Sequence, residues 1–155
     1  MCAYATPFLI SNQLRPLTGS QSVFKAERLD QLFRQRPALG SAYEGAARVI
    51  RSSGCSEVGL ELNWDDWEYP FWALLPRVRG NPVHLEHVRV TNFAGQFESR
   101  RAMFAPCVVV RAKGPSYIGY DPTVPDAFQL AGGTYSRRWS NAEVNPRVDV
   151  YLRDG

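Results

Sequence analysis

The sequence lacks an apolar run long enough to cross a membrane. Its first stretch, MCAYATPFLI, is apolar over ten residues, whereas a bilayer-spanning helix needs about 20. The same stretch has no basic segment before an apolar core and no small-residue cleavage signature after one, so it does not have the features of a signal peptide. We therefore expect the chain to begin inside what was once a longer hydrophobic helix.

Short motifs for metal, nucleotide and hydrolase chemistry are also absent. His84 and His87 have no cysteine or carboxylate partner at zinc-binding spacing, which argues against a structural zinc site. They are interpreted as hydrogen-bonded surface residues, with proton transfer as the alternative. There is no G-x-S-x-G element, and no P-loop lysine follows Gly132 and Gly133, so serine hydrolysis and P-loop nucleotide binding are disfavoured. No catalytic residue, cofactor or metal is predicted.

Lysine is nearly absent. All but two of the 18 basic residues are arginines. Arginine suits bidentate binding of carboxylate or phosphate, but a bias spread over the whole chain is also what codon usage produces. The formal net charge is +3 and the basic residues are not clustered. No nucleic-acid partner is predicted, because phosphate neutralisation requires a basic face.

The length and composition fit one folded domain. A chain of about 150 residues buries roughly 70% of its unfolded surface. The 45% hydrophobic and 21% charged residues are a globular balance. We predict that residues 1–22 form an apolar stub and an extended connector, and that residues 23–155 form a single α/β domain.

Hydrophobic periodicity predicts the order of the elements. Helices are predicted at residues 27–35 and 41–53, in a segment that begins at Asp66 or Tyr69, and in part of 93–104. Strands are predicted at residues 58–62, 85–91, 107–110, 117–120, 127–131 and 147–153. Ser41 and Glu44 have capping-box spacing, and Gly54 is placed as a left-handed helix terminator. Residues 137–139 are interpreted as a solvated turn, with contact to an anionic headgroup as the alternative. The order predicts an α/β fold with a central mixed sheet, helices packed on it and an antiparallel C-terminal part.

Three carboxylates and two indoles are concentrated in the turn after the strand at residues 58–62. They are Trp64, Asp65, Asp66, Trp67 and Glu68. Because ligand sites gather at the carboxyl ends of strands in α/β sheets, the turn is a candidate contact for sugar hydroxyls or a hard cation, with indoles stacking on a sugar ring. A carboxylate pair of the glycosidase kind is a further alternative. The structural interpretation is that the acids cap a helix start while Trp67, Phe71, Trp72 and Leu75 pack in the core.

Two of the three cysteines stand at comparable positions of two predicted strands. Cys55 precedes the strand at residues 58–62, and Cys107 opens the strand at 107–110. If the strands are neighbours, the two side chains face each other. Two interpretations stay open: a disulfide formed in an oxidising compartment, or two small buried side chains with free thiols.

Four short segments follow one another along the chain: residues 12–17 (NQLRPL) after an apolar helix end, 54–60 (GCSEVGL), 68–72 (EYPFW) and 106–107 (PC). In this order they resemble segments of bacterial multi-spanning glycosyltransferases related to the dolichyl-phosphate-mannose protein mannosyltransferase family. The resemblance covers nearly the whole chain and places it as the C-terminal domain outside the cytoplasmic membrane. In such enzymes the transmembrane portion carries catalysis on a lipid-phosphate-linked sugar.

The resemblance implies a noncatalytic role for this chain. The family's catalytic acids lie between transmembrane helices that this sequence lacks, so no catalytic residue is carried over. The expected function is acceptor binding, regulation or stability within a membrane glycosyltransferase, at the periplasmic face of a bacterial membrane. The expected partners are the transmembrane portion of the enzyme or another membrane protein, and carbohydrate or lipid-linked sugar. The alternative is a stand-alone carbohydrate-binding module or small soluble enzyme that uses residues 63–68.

Overall fold

Most of the chain is placed in a computed structural model. The described residues are 7, 10, 16–62, 66–90, 95, 104–113, 124–141 and 147–155. Backbone contacts divide the chain into two compact units, Met1–Ser41 and Ala42–Gly155. In the described ranges, no helix combines the length and the apolar character that crossing a bilayer requires.

The first unit contains the helix α1 (Arg28–Phe33) and the start of α2 (Pro37–Ser53). A turn before α1 is closed by a hydrogen bond of 2.9 Å from the Val23 amide to the Pro16 carbonyl. The side-chain amide of Gln31, in α1, donates to the Val23 carbonyl at 3.2 Å and so ties the turn to the helix. The predicted helix at residues 27–35 is confirmed with shorter bounds. The predicted boundary after residue 22 stays a prediction.

The helix α2 starts earlier than the capping-box spacing indicated. It begins at Pro37, because proline has its φ preset for the first helical position and lacks only an amide that would be unpaired there. Ser41 therefore lies inside the helix, where its hydroxyl donates to the Ala38 carbonyl at 3.0 Å. The prediction that Ser41 caps the helix is wrong. Gly54 follows the helix with φ at 76°, so the predicted left-handed terminator is confirmed.

The second unit is built on a sheet of six described strands. They are β1 (Glu57–Leu62), β4 (His84–His87), β5 (Val108–Lys113), β6 (Ala127–Leu130), β7 (Gly133–Asn141) and β8 (Arg147–Arg153). Their order in the sheet is β4-β1-β5-β8-β7-β6. β1 is parallel to β4 and β5, whereas β8, β7 and β6 continue the sheet in antiparallel fashion. A short helix, α3 (Tyr69–Leu74), and a hairpin of β2 (Arg77–Val78) and β3 (Asn81–Pro82) lie between β1 and β4. The predicted α/β fold with a mixed sheet and an antiparallel C-terminal part is confirmed.

One face of the sheet is apolar and covered by helices. Val58, Val110 and Val150 on the three central strands are fully buried. Trp139 of β7 is paired with Val150, and its ring lies against Gly45 of α2, where an added Cβ would come within 2.9 Å of the ring atom Cη2. The glycine is therefore what allows the helix to approach β7 so closely. α3 packs beside α2, since the rings of Tyr43 and Phe71 lie 4.7 Å apart.

The strand β7 corrects one prediction. Residues 137–139 were predicted as a solvated turn, but they lie inside Gly133–Asn141. A β-bulge between Arg137 and Trp139 shifts the alternation, so Tyr135 and Trp139 face opposite sides and no period of two is visible in the sequence. Of the predicted helix at 93–104 only residues 95 and 104 are described, and the predicted strand at 117–120 lies outside the described residues.

Candidate ligand-binding site

The three parallel strands β1, β4 and β5 end at one edge of the sheet, the carboxyl edge, and β1 lies between the other two. The connection from β1 to β4 contains α3, whose Phe71 packs on Tyr43 at the helix-covered face. In the connection from β4 to β5, Phe104 packs against the cluster that contains Val109, on the opposite face. The described parts of the two connections therefore lie on opposite faces, and connections on opposite faces form a topological switch point, where open α/β sheets bind ligands.

Glu68 lies at this switch point and links two strand ends. It immediately precedes α3, but its side chain makes no cap hydrogen bond, so the interpretation of this acid as a helix cap is wrong. Its Oε1 accepts a hydrogen bond of 2.6 Å from Nε1 of Trp72. Its Oε2 lies 2.8 Å from Nε2 of His87, the last residue of β4. The turn after β1 is thereby fixed to the end of the neighbouring strand.

Two aromatic side chains of α3, the helix that follows this carboxylate, are exposed. Tyr69 is 50% exposed and Trp72 is 46% exposed. The prediction that Trp72 packs in the core is therefore wrong, while Phe71 and Leu75 are buried as predicted. The four residues Glu68, Tyr69, Trp72 and His87 are called the Glu68 group. An immobilised carboxylate next to exposed aromatic rings can accept hydrogen bonds from hydroxyls while a ring packs on an apolar surface.

The charge of Glu68 is stabilised by its neighbours. Burial raises the pKa of Glu68, but the hydrogen bonds from Trp72 and His87 and the attraction of His87 outweigh burial, and the pKa is lowered from its ordinary value. A carboxylate with a lowered pKa is ionised at neutral pH. The Glu68 group therefore presents a charged hydrogen-bond acceptor.

The remaining acidic-turn residues are placed in part. Asp66 and Trp67 are half-buried, and Trp64 and Asp65 lie outside the described residues. The backbone carbonyl of Trp67 accepts a hydrogen bond of 2.8 Å from the hydroxyl of Tyr43. Burial and the nearby charge of Asp66 raise the pKa of Tyr43, so that hydroxyl stays protonated. Trp67 thus contributes its backbone to the fold, whereas Glu68 contributes its side chain to the candidate site.

The sheet face opposite the helices carries three charged residues side by side on neighbouring strands. Glu61, Arg111 and Asp149, called the polar row, are 1%, 3% and 2% exposed. Glu61 is in register with Arg111, and Arg111 with Asp149. Oε1 of Glu61 lies 3.5 Å from Nε of Arg111. These three residues were not among the predicted site residues, although each stands between two apolar residues of its strand, and that interruption was the available signal.

Three half-exposed arginines surround the polar row. Arg89, after β4, lies 3.6 Å from Glu61 and 4.7 Å above the ring of Phe128. Its backbone has φ at 53°, a left-handed conformation that non-glycine residues adopt at a cost and that is common at functional sites. Arg137 and Arg147 both approach Asp149, at 3.9 Å and 3.0 Å. Guanidinium groups therefore gather at both ends of the row.

Cys55 and Cys107 are joined by a disulfide, with their Cα atoms 5.9 Å apart. Cys55 precedes β1 and Cys107 precedes β5, and the amide of Cys107 donates to the Glu57 carbonyl at 3.0 Å. The disulfide therefore joins the amino ends of two neighbouring parallel strands. It lies at the sheet edge opposite the Glu68 group.

His84 and His87 lie at the two ends of β4 and both contact carboxylates. Nδ1 of His84 lies 2.8 Å from Glu57, and His87 belongs to the Glu68 group. In the described part of the chain, no group of three or more His, Cys, Asp or Glu side chains could hold a metal ion. No protein-family model, curated protein or solved structure matches this chain.

Proposed function

We propose that this chain is a noncatalytic extracytoplasmic domain of a membrane glycosyltransferase that uses a lipid-phosphate-linked sugar. In this proposal the domain contributes acceptor binding, regulation or stability, and the transmembrane portion of the enzyme carries the chemistry. The resemblance of residues 12–17, 54–60, 68–72 and 106–107 to that class motivates the proposal. The single observation that supports a carbohydrate contact is the Glu68 group at the topological switch point.

The chemistry of the Glu68 group suits a sugar better than an apolar ligand. A pyranose ring has an apolar face that packs on indole or phenol rings, and hydroxyls that donate to carboxylates. Trp72 and Tyr69 supply half-exposed rings. Glu68 supplies an acceptor whose orientation is set by hydrogen bonds to two other side chains. Because the acceptor is already held in place, less side-chain conformational entropy is lost when a ligand binds.

The disulfide supports the extracytoplasmic location. Structural disulfides form and persist in secreted and periplasmic proteins and are rare in the reducing cytosol. The Cys55 to Cys107 bond joins buried strands of the sheet, which is the position of a structural tie. The periplasmic face of a bacterial membrane, with the chain tethered in the full-length enzyme, agrees with this chemistry.

The carbohydrate contact is tested by titrating the protein with monosaccharides, lipid-phosphate sugars and divalent cations while recording amide and indole NMR signals. We expect sugars to shift the Trp72 indole signal. Glu68→Gln keeps the shape but removes the charge, and should weaken binding about tenfold or more, because hydrogen bonds to charged groups contribute roughly 1.5–3 kcal/mol. Phe24→Ala is the control, since Phe24 is 80% exposed in the other unit. Equal binding by wild type and Glu68→Gln would remove the proposed contact.

The alternative function is a stand-alone carbohydrate-binding module or a small enzyme acting through residues 63–68. All four residues of the Glu68 group belong to this chain, which favours the stand-alone alternative. The two functions predict different DNA sequences upstream of Met1. Hydrophobic spans encoded there in the same reading frame support the membrane enzyme. A stop codon and an independent promoter immediately before Met1 would leave the stand-alone module.

A further inference from the structure

We propose that the sheet face opposite the helices binds a phosphate group through Arg137 and Arg147, which Asp149 positions. The ligand class is a phosphate ester or free phosphate. The site uses other residues than the Glu68 group and lies on the other face of the sheet, so the proposal goes beyond the carbohydrate contact and does not depend on it.

Asp149 is a buried carboxylate with two guanidinium groups close to it. This carboxylate is 2% exposed, yet two guanidinium groups approach it: Nε of Arg147 lies 3.0 Å from Oδ2, and Nη1 of Arg137 lies 3.9 Å from Oδ1. Arg137 also pairs with Asp126, whose side chain is 90% exposed and therefore screened by water. Two guanidinium groups thus share one buried carboxylate, and the other carboxylate, Asp126, is at the surface, where an anionic ligand can compete with it.

Arg147 has hydrogen-bond donors for which the described residues provide no acceptor. Its Nε donates to Oδ1 of Asp149 at 3.1 Å and to the Ser140 hydroxyl at 3.2 Å. Among the described residues, none accepts a hydrogen bond from its Nη1 or Nη2. Its side chain is 31% exposed, so these two nitrogens are open to a ligand. A guanidinium fixed at Nε and free at its outer nitrogens is suited to binding a tetrahedral oxyanion.

The strands place Arg137 and Arg147 on either side of Asp149. It lies at the β-bulge of β7 and is in register with Tyr151, while Asp149 is two residues before Tyr151 on β8. Tyr151 is fully buried, and burial, with the charge of Asp149, raises the pKa of its hydroxyl. The side chain next to Arg137 is therefore shielded from water, and attraction between charges is stronger beside a buried group than in bulk solvent. Because Asp126 is at the surface, an incoming phosphate can replace it as the outer partner of Arg137.

The test is isothermal titration of the whole chain with three probes: inorganic phosphate, glucose 1-phosphate and farnesyl phosphate in detergent. We expect wild-type protein to bind phosphate, and Arg147→Gln to raise the dissociation constant about tenfold or more, because charge-assisted bidentate contacts are roughly twice as strong as neutral ones. Arg77→Gln is the charge-matched control, since Arg77 is exposed on β2 and donates only to the Gly80 carbonyl among described groups. That variant should bind as wild type does.

The outcomes separate the possibilities. No binding of any of the three probes by wild type, or an equal effect of Arg77→Gln and Arg147→Gln, overturns the site. If Arg147→Gln does not fold, Arg137→Gln takes its place, because a side chain at the margin of the row is less essential to the sheet. Equal affinity for all three probes identifies the phosphate alone as the ligand, and tighter binding of farnesyl phosphate identifies a lipid phosphate. Glucose, which has no phosphate, should bind Arg147→Gln and wild type with the same affinity. A failure of the phosphate site is therefore distinct from a failure of the carbohydrate contact at the Glu68 group.

Discussion

The disulfide between Cys55 and Cys107 should supply a large part of the stability of the sheet. The two residues are 52 apart in sequence, and closing a loop of that length removes about 14 cal/mol/K of chain entropy from the unfolded state, or about 4 kcal/mol at 25 °C. Domains of this size are stable by roughly 5–15 kcal/mol. Loss of this bond should therefore remove between a quarter and most of the free energy of unfolding.

The measurement is urea unfolding of the oxidised wild type and of the Cys55→Ala, Cys107→Ala double variant, followed by circular dichroism. Cys2→Ala is the control, because Cys2 takes no part in the bond. Alkylation and peptide mass mapping should find the thiols at positions 55 and 107 blocked in protein made under oxidising conditions. Free thiols at both positions, or a stability difference below about 1 kcal/mol, contradict the loop-closure reasoning.

Two further predictions concern packing and pH. Gly45→Ala should gain about 1 kcal/mol in helix propensity but lose about 1–3 kcal/mol by overpacking against Trp139, and urea unfolding should show net destabilisation that Trp139→Leu reverses. Glu68 has a lowered pKa in the folded state, so its stabilising contribution is complete above the ordinary value of 4.5 and is lost as the pH falls through the lowered folded pKa. Unfolding at neutral and acidic pH should accordingly show a weaker pH dependence for Glu68→Gln than for wild type, and an identical pH profile would refute the assignment.

The sequence contains enough information for most of the sheet but not for the strand β7. The strands at 58–62 and 147–153 were predicted because short apolar runs and alternation report burial directly. β7 was not predicted because its bulge shifts Trp139 to the face opposite Tyr135, and such a shift removes the period-two alternation that indicates a strand.

The candidate site was predicted only at the level of a turn. The sequence placed Glu68 at a strand end, but its partner His87 is 19 residues away and meets it through the parallel pairing of β4 with β1. Trp72 was assigned to the core because helical spacing does not distinguish a buried indole from one held at the surface by a carboxylate. The polar row is a tertiary feature, since Glu61, Arg111 and Asp149 come from strands far apart in the sequence.

The disulfide also has a consequence for how the charged residues find one another during folding. Strands have a side-chain period of two, so a slip of one residue between β1 and β5 would turn Glu61 to the helix side while Arg111 remained on the other. Cys55 and Cys107 are joined just before the first paired residues, Val58 and Val108. Once the disulfide has formed, β1 and β5 therefore keep their alignment when the sheet partly opens. When the sheet closes again, Glu61 and Arg111 meet in the same register.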